Sequence, residues 1–170
     1  MDESNVERAL EVTESVFEDT RGQSLETGLD VNDEALVQLR KACRLLEAAD
    51  TLCERNGHYT VIIETSFVAI ERSIQFYLIY RNIAGGEDLR HDHSAVYERG
   101  GEMGLFSDEF GDRLLHLWKT NRAAVYYREA AATAEQADAM FQLANAIHGY
   151  ILDFASSRHE CICNSKHPDR

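Results

Sequence analysis

The sequence predicts an all-α protein, an antiparallel up-and-down bundle of four main helices with additional short helices. Apolar residues recur at intervals of three and four along most of the 170 residues, which is the period of an amphipathic helix. Each periodic stretch begins or ends at a capping residue or a glycine pair. The β-branched run at residues 61–63 is too short to outweigh the helical period around it. We therefore expect helices connected by short links.

The first half of the chain predicts an N-terminal arm followed by two long helices. Residues 1–30 are acidic and only weakly periodic, so we expect a loosely attached arm. A helix should begin at a cap provided by Asn32 or Asp33 and stop near Gly57. The next helix should cover residues 59–82. Apolar side chains surround most of its circumference, which predicts the central and most buried helix.

The second half predicts a short helix, two further main helices and a tail. The short helix covers about residues 94–99 and ends at a glycine pair. Ser107 caps the following helix, and Thr133 caps the last long one, with Gln136 in the reciprocal capping-box position. Beyond the last apolar stripe, residues 158–170 are expected to form a polar tail.

Composition and charge limit the class of protein. Thirty acidic residues against seventeen basic ones give a net charge of −13, and only three of the basic residues are lysines. This balance is typical of a halophilic protein, which uses surface acid to stay soluble, and an acidic mesophilic protein is the alternative. At molar salt the Debye length falls to about 3 Å, so the charge does not exclude an RNA partner. An acidic start and the lack of a long apolar run predict a cytoplasmic protein without a membrane partner.

One segment of this acidic chain, residues 113–128, contains no acidic residue. Arg122 lies at its centre, and an arginine fork binds phosphate well. The neighbouring candidate ligand-binding residues are Lys119, Asn121, Tyr126 and Arg128. Tyrosine rings can stack on bases, and amides can donate to a ligand. Alternatively, the basic residues pair with acids on neighbouring helices and the tyrosines fill the core.

Three segments resemble the HEPN-domain family of helical bundles, namely residues 64–72, 104–110 and 121–127. The likeness covers residues 31–157, which we expect to form the bundle. Members of that family accompany nucleotidyltransferases and act in RNA cleavage, toxin–antitoxin and defence systems. The resemblance implies a homodimer with RNA or a nucleotide as ligand and a nucleotidyltransferase as partner protein.

The resemblance also assigns two candidate catalytic residues. In nuclease members, an arginine is followed a few residues later by a histidine, and paired subunits cut RNA without metal. Arg122 matches the arginine, but Tyr127 stands where the histidine would be, as in one branch of the family. Tyrosine titrates near 10 and is a poor general base, so we expect binding without histidine-dependent cleavage. In related toxin–antitoxin pairs the partner modifies this tyrosine.

Two alternatives to that function stay open. One is a metal-independent endoribonuclease centred on Arg122, with His116 or His148 reaching the site across the bundle as the base. The other is a structural helical adaptor that binds no ligand.

The cysteines and remaining histidines lead us to assign no metal and no cofactor. Cys43 and Cys53 fall in a helical pattern, where a free thiol behaves as a small apolar residue. The tail contains four candidate zinc ligands: His159, Cys161, Cys163 and His167. Their C-x-C spacing differs from the usual C-x2-C, and no rigid turn is evident, so we expect a frayed tail. The pair His91 and His93 has no third ligand nearby in sequence.

Overall fold

A computed structural model of the chain describes residues 4–19, 26–83, 85, 93–122 and 131–163. These residues contain six α-helices and no β-strand, so the all-α prediction is confirmed. The helices are α1 (Ser4–Glu18), α2 (Glu34–Cys53), α3 (Tyr59–Tyr80), α4 (His93–Glu102), α5 (Asp108–Leu117) and α6 (Ala134–Phe154). A π-helical segment, Trp118–Arg122, follows α5, and a 3-10 helix, Arg158–Glu160, follows α6.

The chain divides into two compact units, Met1–Asp30 and Val31–Arg170. In the first unit, α1 has an apolar stripe with exposed side chains: Val6, Leu10, Val12, Val16 and Phe17. The second unit contains the other helices and the hydrophobic core.

Helix α3 is the centre of the core, as its apolar circumference predicts. It packs against α2 on one side and α6 on another. Phe67, Ile70 and Phe76 are at most 1% exposed, and burial of such side chains stabilises the fold by about 1.5–3 kcal/mol each. Among the described helices, none combines the length and the apolar character that crossing a bilayer requires.

Three predicted helix starts, those of α2, α5 and α6, are correct because each depends on a local hydrogen bond. The Asp33 carboxylate accepts from the backbone N–H of Leu36 at 2.8 Å, which begins α2. The Ser107 hydroxyl caps α5 in the same way. Thr133 and Gln136 form the full capping box of α6, at 3.2 Å and 3.0 Å. These bonds satisfy N–H groups that have no partner within the helix.

One helix end differs from the prediction, and another helix changes its type at its end. Helix α4 does not stop before its glycine pair but continues to Glu102. Gly100 is buried there, and a Cβ at this position would lie 3.1 Å from Cγ2 of Ile74, so glycine permits close packing on α3. Helix α5 changes at Trp118 into the π-helical segment.

Candidate metal centre

Four metal-ligating side chains from three separate parts of the chain converge on one point. Cys43 comes from α2, His148 from α6, and Cys161 and Cys163 from the segment after the 3-10 helix. All four ligand atoms lie within 4.8 Å of one another. We refer to these residues as the thiol–imidazole cluster.

The distances within the thiol–imidazole cluster match a tetrahedral metal site. His148 Nε2 lies 3.6 Å from the Sγ atoms of Cys43, Cys161 and Cys163. Cys161 Sγ lies 3.6 Å from Cys43 Sγ and 3.0 Å from Cys163 Sγ. Zinc bond lengths of about 2.3 Å to sulfur and 2.05 Å to nitrogen give tetrahedron edges of about 3.6 Å for S–N and 3.8 Å for S–S. The three observed S–N distances equal the expected S–N edge. The Sγ atoms of Cys161 and Cys163 would have to move apart by about 0.8 Å to bind such an ion.

The turn at the end of α6 directs the C-terminal segment back to α2. Ser156 adopts a left-handed conformation, with φ of 54°. Its N–H donates to the carbonyl of Asp153 at 3.0 Å, and the Ser157 N–H donates to the carbonyl of Leu152 at 2.8 Å. These two bonds are the Schellman motif, which ends a helix with a sharp reversal.

A salt bridge holds the reversed segment against α2. The Arg40 guanidinium lies 3.1 Å from the Glu160 carboxylate, and both side chains are partly buried. Arg40 is one helical turn before Cys43, so this contact brings the segment to the level of the buried thiol. Cys161 has extended backbone angles, φ −71° and ψ 132°, and the chain bends at Ile162. The sulfurs of Cys161 and Cys163 lie 3.0 Å apart across this bend.

The other ring nitrogen of His148 is fixed by a serine on α3. Ser73 Oγ donates to the carbonyl of Ala69 at 2.8 Å and lies 2.9 Å from His148 Nδ1. A hydroxyl has only one proton, and Ser73 donates it to the carbonyl of Ala69. The Ser73 oxygen therefore accepts a hydrogen bond from the Nδ1–H of His148. When the imidazole is neutral, the lone pair of Nε2 then faces the three sulfurs. Metal-ligating histidines have this arrangement, with the second nitrogen donating to a fixed acceptor.

The protonation of the thiol–imidazole cluster follows from its contacts. Burial lowers the pKa of His148, but hydrogen bonds with Cys161 and Cys43 outweigh it and raise that pKa to about 9. The hydrogen bond with Cys163 holds the pKa of Cys161 far below its ordinary value, and the same bond raises the pKa of Cys163. A metal-free cluster therefore contains an imidazolium beside a thiolate, and a divalent cation would replace the proton on the imidazole.

The frayed-tail interpretation is wrong for residues 158–163, which form a 3-10 helix and a docked pair of cysteines. Residues 164–170, including His167, lie outside the described part of the chain. His159 is exposed and lies beside Glu160, not in the cluster. The two ring nitrogens of His148 face the thiols and Ser73. His93 Nδ1 lies 2.8 Å from the buried Glu71 carboxylate, and His91 is outside the described residues.

The basic stretch is only partly described. Lys119 Nζ lies 3.6 Å from the carboxylate of Glu98 on α4, as the interpretation of structural ion pairs predicts for this residue. Asn121 donates to the carbonyl of Leu117 at 3.1 Å and has an exposed side chain. Arg122 ends the π-helical segment, and its side chain is outside the description, as are Tyr126, Tyr127 and Arg128.

A groove lies next to the π-helical segment. Its volume is about 570 Å³, and it runs between α5, the π-helical segment and α6. Its polar lining consists of one acidic residue, Asp112, together with Arg113, His116, Thr120 and Asn121.

Comparison with known proteins gives one result. No curated protein and no solved structure matches the chain. The family model described as "Domain of unknown function (DUF8154)" matches residues 1–163, a range that includes all four residues of the thiol–imidazole cluster. The chain therefore belongs to the DUF8154 family.

Proposed function

We propose that this protein binds one zinc ion through Cys43, His148, Cys161 and Cys163, and that the ion fastens the C-terminal segment to α2 and α6. The observation that carries this proposal is the convergence of four ligand atoms, with all three S–N distances at tetrahedral spacing. The proposal replaces the expectation, drawn from the C-x-C spacing, that the chain has no metal ligands.

The ligand set favours zinc over other metals. Three thiolates and one imidazole in a tetrahedron form one of the usual structural zinc sites. Iron–sulfur clusters use four cysteines or, in Rieske centres, two cysteines on one iron and two histidines on the other. Protein atoms fill all four positions, so no position is open to water or substrate. We therefore propose a structural role for the ion. Thiolate ligands require a reducing compartment, and this supports placing the protein in the cytoplasm.

Metal analysis of the purified protein tests the zinc proposal. We expect about one zinc per chain, and cobalt substitution should give the visible bands of a tetrahedral site with thiolate ligands. Cys43→Ser and His148→Ala should lose the metal, because each removes one of the four ligands. Cys53→Ser is the matched control, since Cys53 is exposed and lies outside the cluster. Protein that refolds and purifies without bound metal, or that retains zinc equally in all three variants, contradicts the proposal.

We propose a second function for the groove beside α5, namely association with RNA or a nucleotide in a HEPN-like homodimer that works with a nucleotidyltransferase. Arg113 and His116 support the proposal because they place potential hydrogen-bond donors along one open groove. Arg122 follows directly in the π-helical segment, and π-helices are frequent at functional sites. Phosphate is the ligand class that such donors favour.

Binding of labelled single-stranded RNA, measured without chelator so that zinc is retained, tests the second function. Arg122→Ala should weaken binding by about tenfold or more, because charged hydrogen bonds contribute about 1.5–3 kcal/mol. Arg55→Ala removes an exposed arginine at the end of α2 and is the matched control. Equal RNA binding by the two folded variants would contradict the assignment of Arg122 to the binding site. RNA cleavage that disappears in Arg122→Ala would favour the endoribonuclease alternative.

A further inference from the structure

The four ligands of the thiol–imidazole cluster differ in their access to solvent. Cys43 is 0% exposed and His148 is 4% exposed, and both belong to long helices of the core. Cys161 and Cys163 are only half-buried and belong to the short C-terminal segment. A small oxidant that reaches the cluster therefore meets these two sulfurs first.

The same two sulfurs are also the closest pair. Their Sγ atoms are 3.0 Å apart, whereas Cys43 Sγ is 3.6 Å from Cys161 Sγ. A disulfide needs a separation of about 2.05 Å. Cys161 and Cys163 can close this gap by rotating side chains of one short segment, whereas pairing with Cys43 requires the segment to move against a buried helix.

From this geometry we infer that Cys161 and Cys163 are a modification site for hydroperoxides, and that a disulfide between them releases the zinc. The inference rests on the proposed zinc site, since bound zinc keeps its thiols deprotonated and hence nucleophilic. One thiolate attacks hydrogen peroxide, giving a sulfenic acid and hydroxide. The second thiolate then attacks the sulfenic sulfur, forming the disulfide and releasing a second hydroxide. Peroxide gains the two electrons that the sulfurs lose, and zinc loses two of its four ligands.

The chain contains a suitable control thiol. Cys53 is more exposed than either member of the pair. Partial burial and the carboxylates of Asp50 and Asp138 raise its pKa, so little of it is thiolate. It belongs to no cysteine cluster in the described part of the chain. Reaction at Cys161 and Cys163 ahead of Cys53 would thus reflect the site and not exposure.

The experiment titrates zinc-loaded, full-length protein with hydrogen peroxide. Zinc release is followed with a chromogenic chelator, and disulfides are mapped by peptide mass spectrometry. We expect about one zinc released per Cys161–Cys163 disulfide, unchanged in Cys53→Ser, and rebinding of zinc after reduction with dithiothreitol. Zinc retained after peroxide has oxidised Cys53, or zinc released with Cys43 in the disulfide, would overturn the inference. Zinc content is measured before peroxide is added, so failure of the zinc proposal itself is recognised separately.

Discussion

Ser73→Ala tests how the metal centre is built, because it changes one hydrogen bond to the metal-binding histidine. Ser73 is 0% exposed, and its Oγ lies 2.9 Å from Nδ1 of His148, which is itself 4% exposed. Alanine is the best helix former, so α3 should keep its structure. The substitution therefore leaves a buried Nδ1–H without its acceptor.

Two independent estimates give the same size of effect on zinc affinity. A buried donor left without a partner costs about 1–3 kcal/mol, and each 1.4 kcal/mol corresponds to a factor of ten in affinity. Loss of an outer hydrogen bond to a ligating histidine typically weakens metal binding by about 10–100-fold. We therefore expect the zinc dissociation constant of Ser73→Ala to rise by about 10–100-fold.

Competition with a chelator of known affinity measures this change, and a second serine on α3 provides the control. Ser66 is also 0% exposed, but its hydroxyl has no hydrogen-bond partner among the described residues. Ser66→Ala should leave zinc affinity within about twofold of the unmodified protein, since no ligand depends on that hydroxyl. Equal zinc affinities for the two variants would refute the assignment of Nδ1–H to Ser73 and the lone pair of Nε2 to the metal.

Three further predictions concern stability. Ser156→Gly should raise the free energy of unfolding by about 1 kcal/mol, because glycine accepts the left-handed conformation without strain. Urea unfolding measures this free energy, and a decrease in it contradicts the prediction. Thr133→Ala should lower that free energy by about 1 kcal/mol, because α6 loses its capping box; an unchanged urea midpoint contradicts this. In metal-free protein, the pKa of His148 is raised from 6.5 to about 9. The stabilisation that its protonated form provides is therefore complete below pH 6.5 and is lost as pH rises through about 9. Zinc binds neutral imidazole, so the increase in Tm that zinc causes should grow with pH. Thermal melts with and without zinc should therefore show different dependences of Tm on pH. Equal pH slopes of Tm contradict this prediction.

The parts of the fold that the sequence predicts correctly are those set by local chemistry. Asp33, Ser107 and Thr133 cap their helices with backbone groups three residues away, so the pattern is visible in a short window. The end of α4 depends instead on contact between Gly100 and Ile74, which are distant in sequence. A glycine pair alone does not distinguish a helix end from a close helix–helix contact.

The metal centre could not be predicted because its spacing signal is incomplete. Only the Cys161 and Cys163 pair is close in sequence, whereas Cys43 and His148 come from two different helices. The interpretation of both helical cysteines as small apolar residues agrees with the burial of Cys43, whereas Cys53 is exposed. The Cys43 sulfur also contacts the thiol–imidazole cluster. The reversal of the chain direction at Ser156 could not be predicted either, since serine is an uncommon residue for a left-handed helix end.

The position of the metal centre predicts which part of the protein needs zinc. The core around α3 is formed by apolar side chains from all helices from α2 to α6. The ligands of the thiol–imidazole cluster come only from α2, α6 and the C-terminal segment. The segment after α6 has fewer such contacts and depends on the Arg40–Glu160 salt bridge and the two cysteines. Removal of zinc should therefore loosen residues 155–163 and leave the core folded.

Hydrogen exchange followed by mass spectrometry separates these two regions. Chelation of zinc should speed exchange in peptides covering residues 155–163, while amides of α3 remain protected, because local opening depends on local contacts. Cys43→Ser should reproduce the effect without chelator, since it removes the ligand on α2 and leaves the segment's own sequence unchanged. Cys53→Ser should exchange like the zinc-bound protein, because Cys53 is not a ligand. Loss of protection throughout α3 on chelation would instead mean that the buried apolar core cannot hold the bundle without its metal.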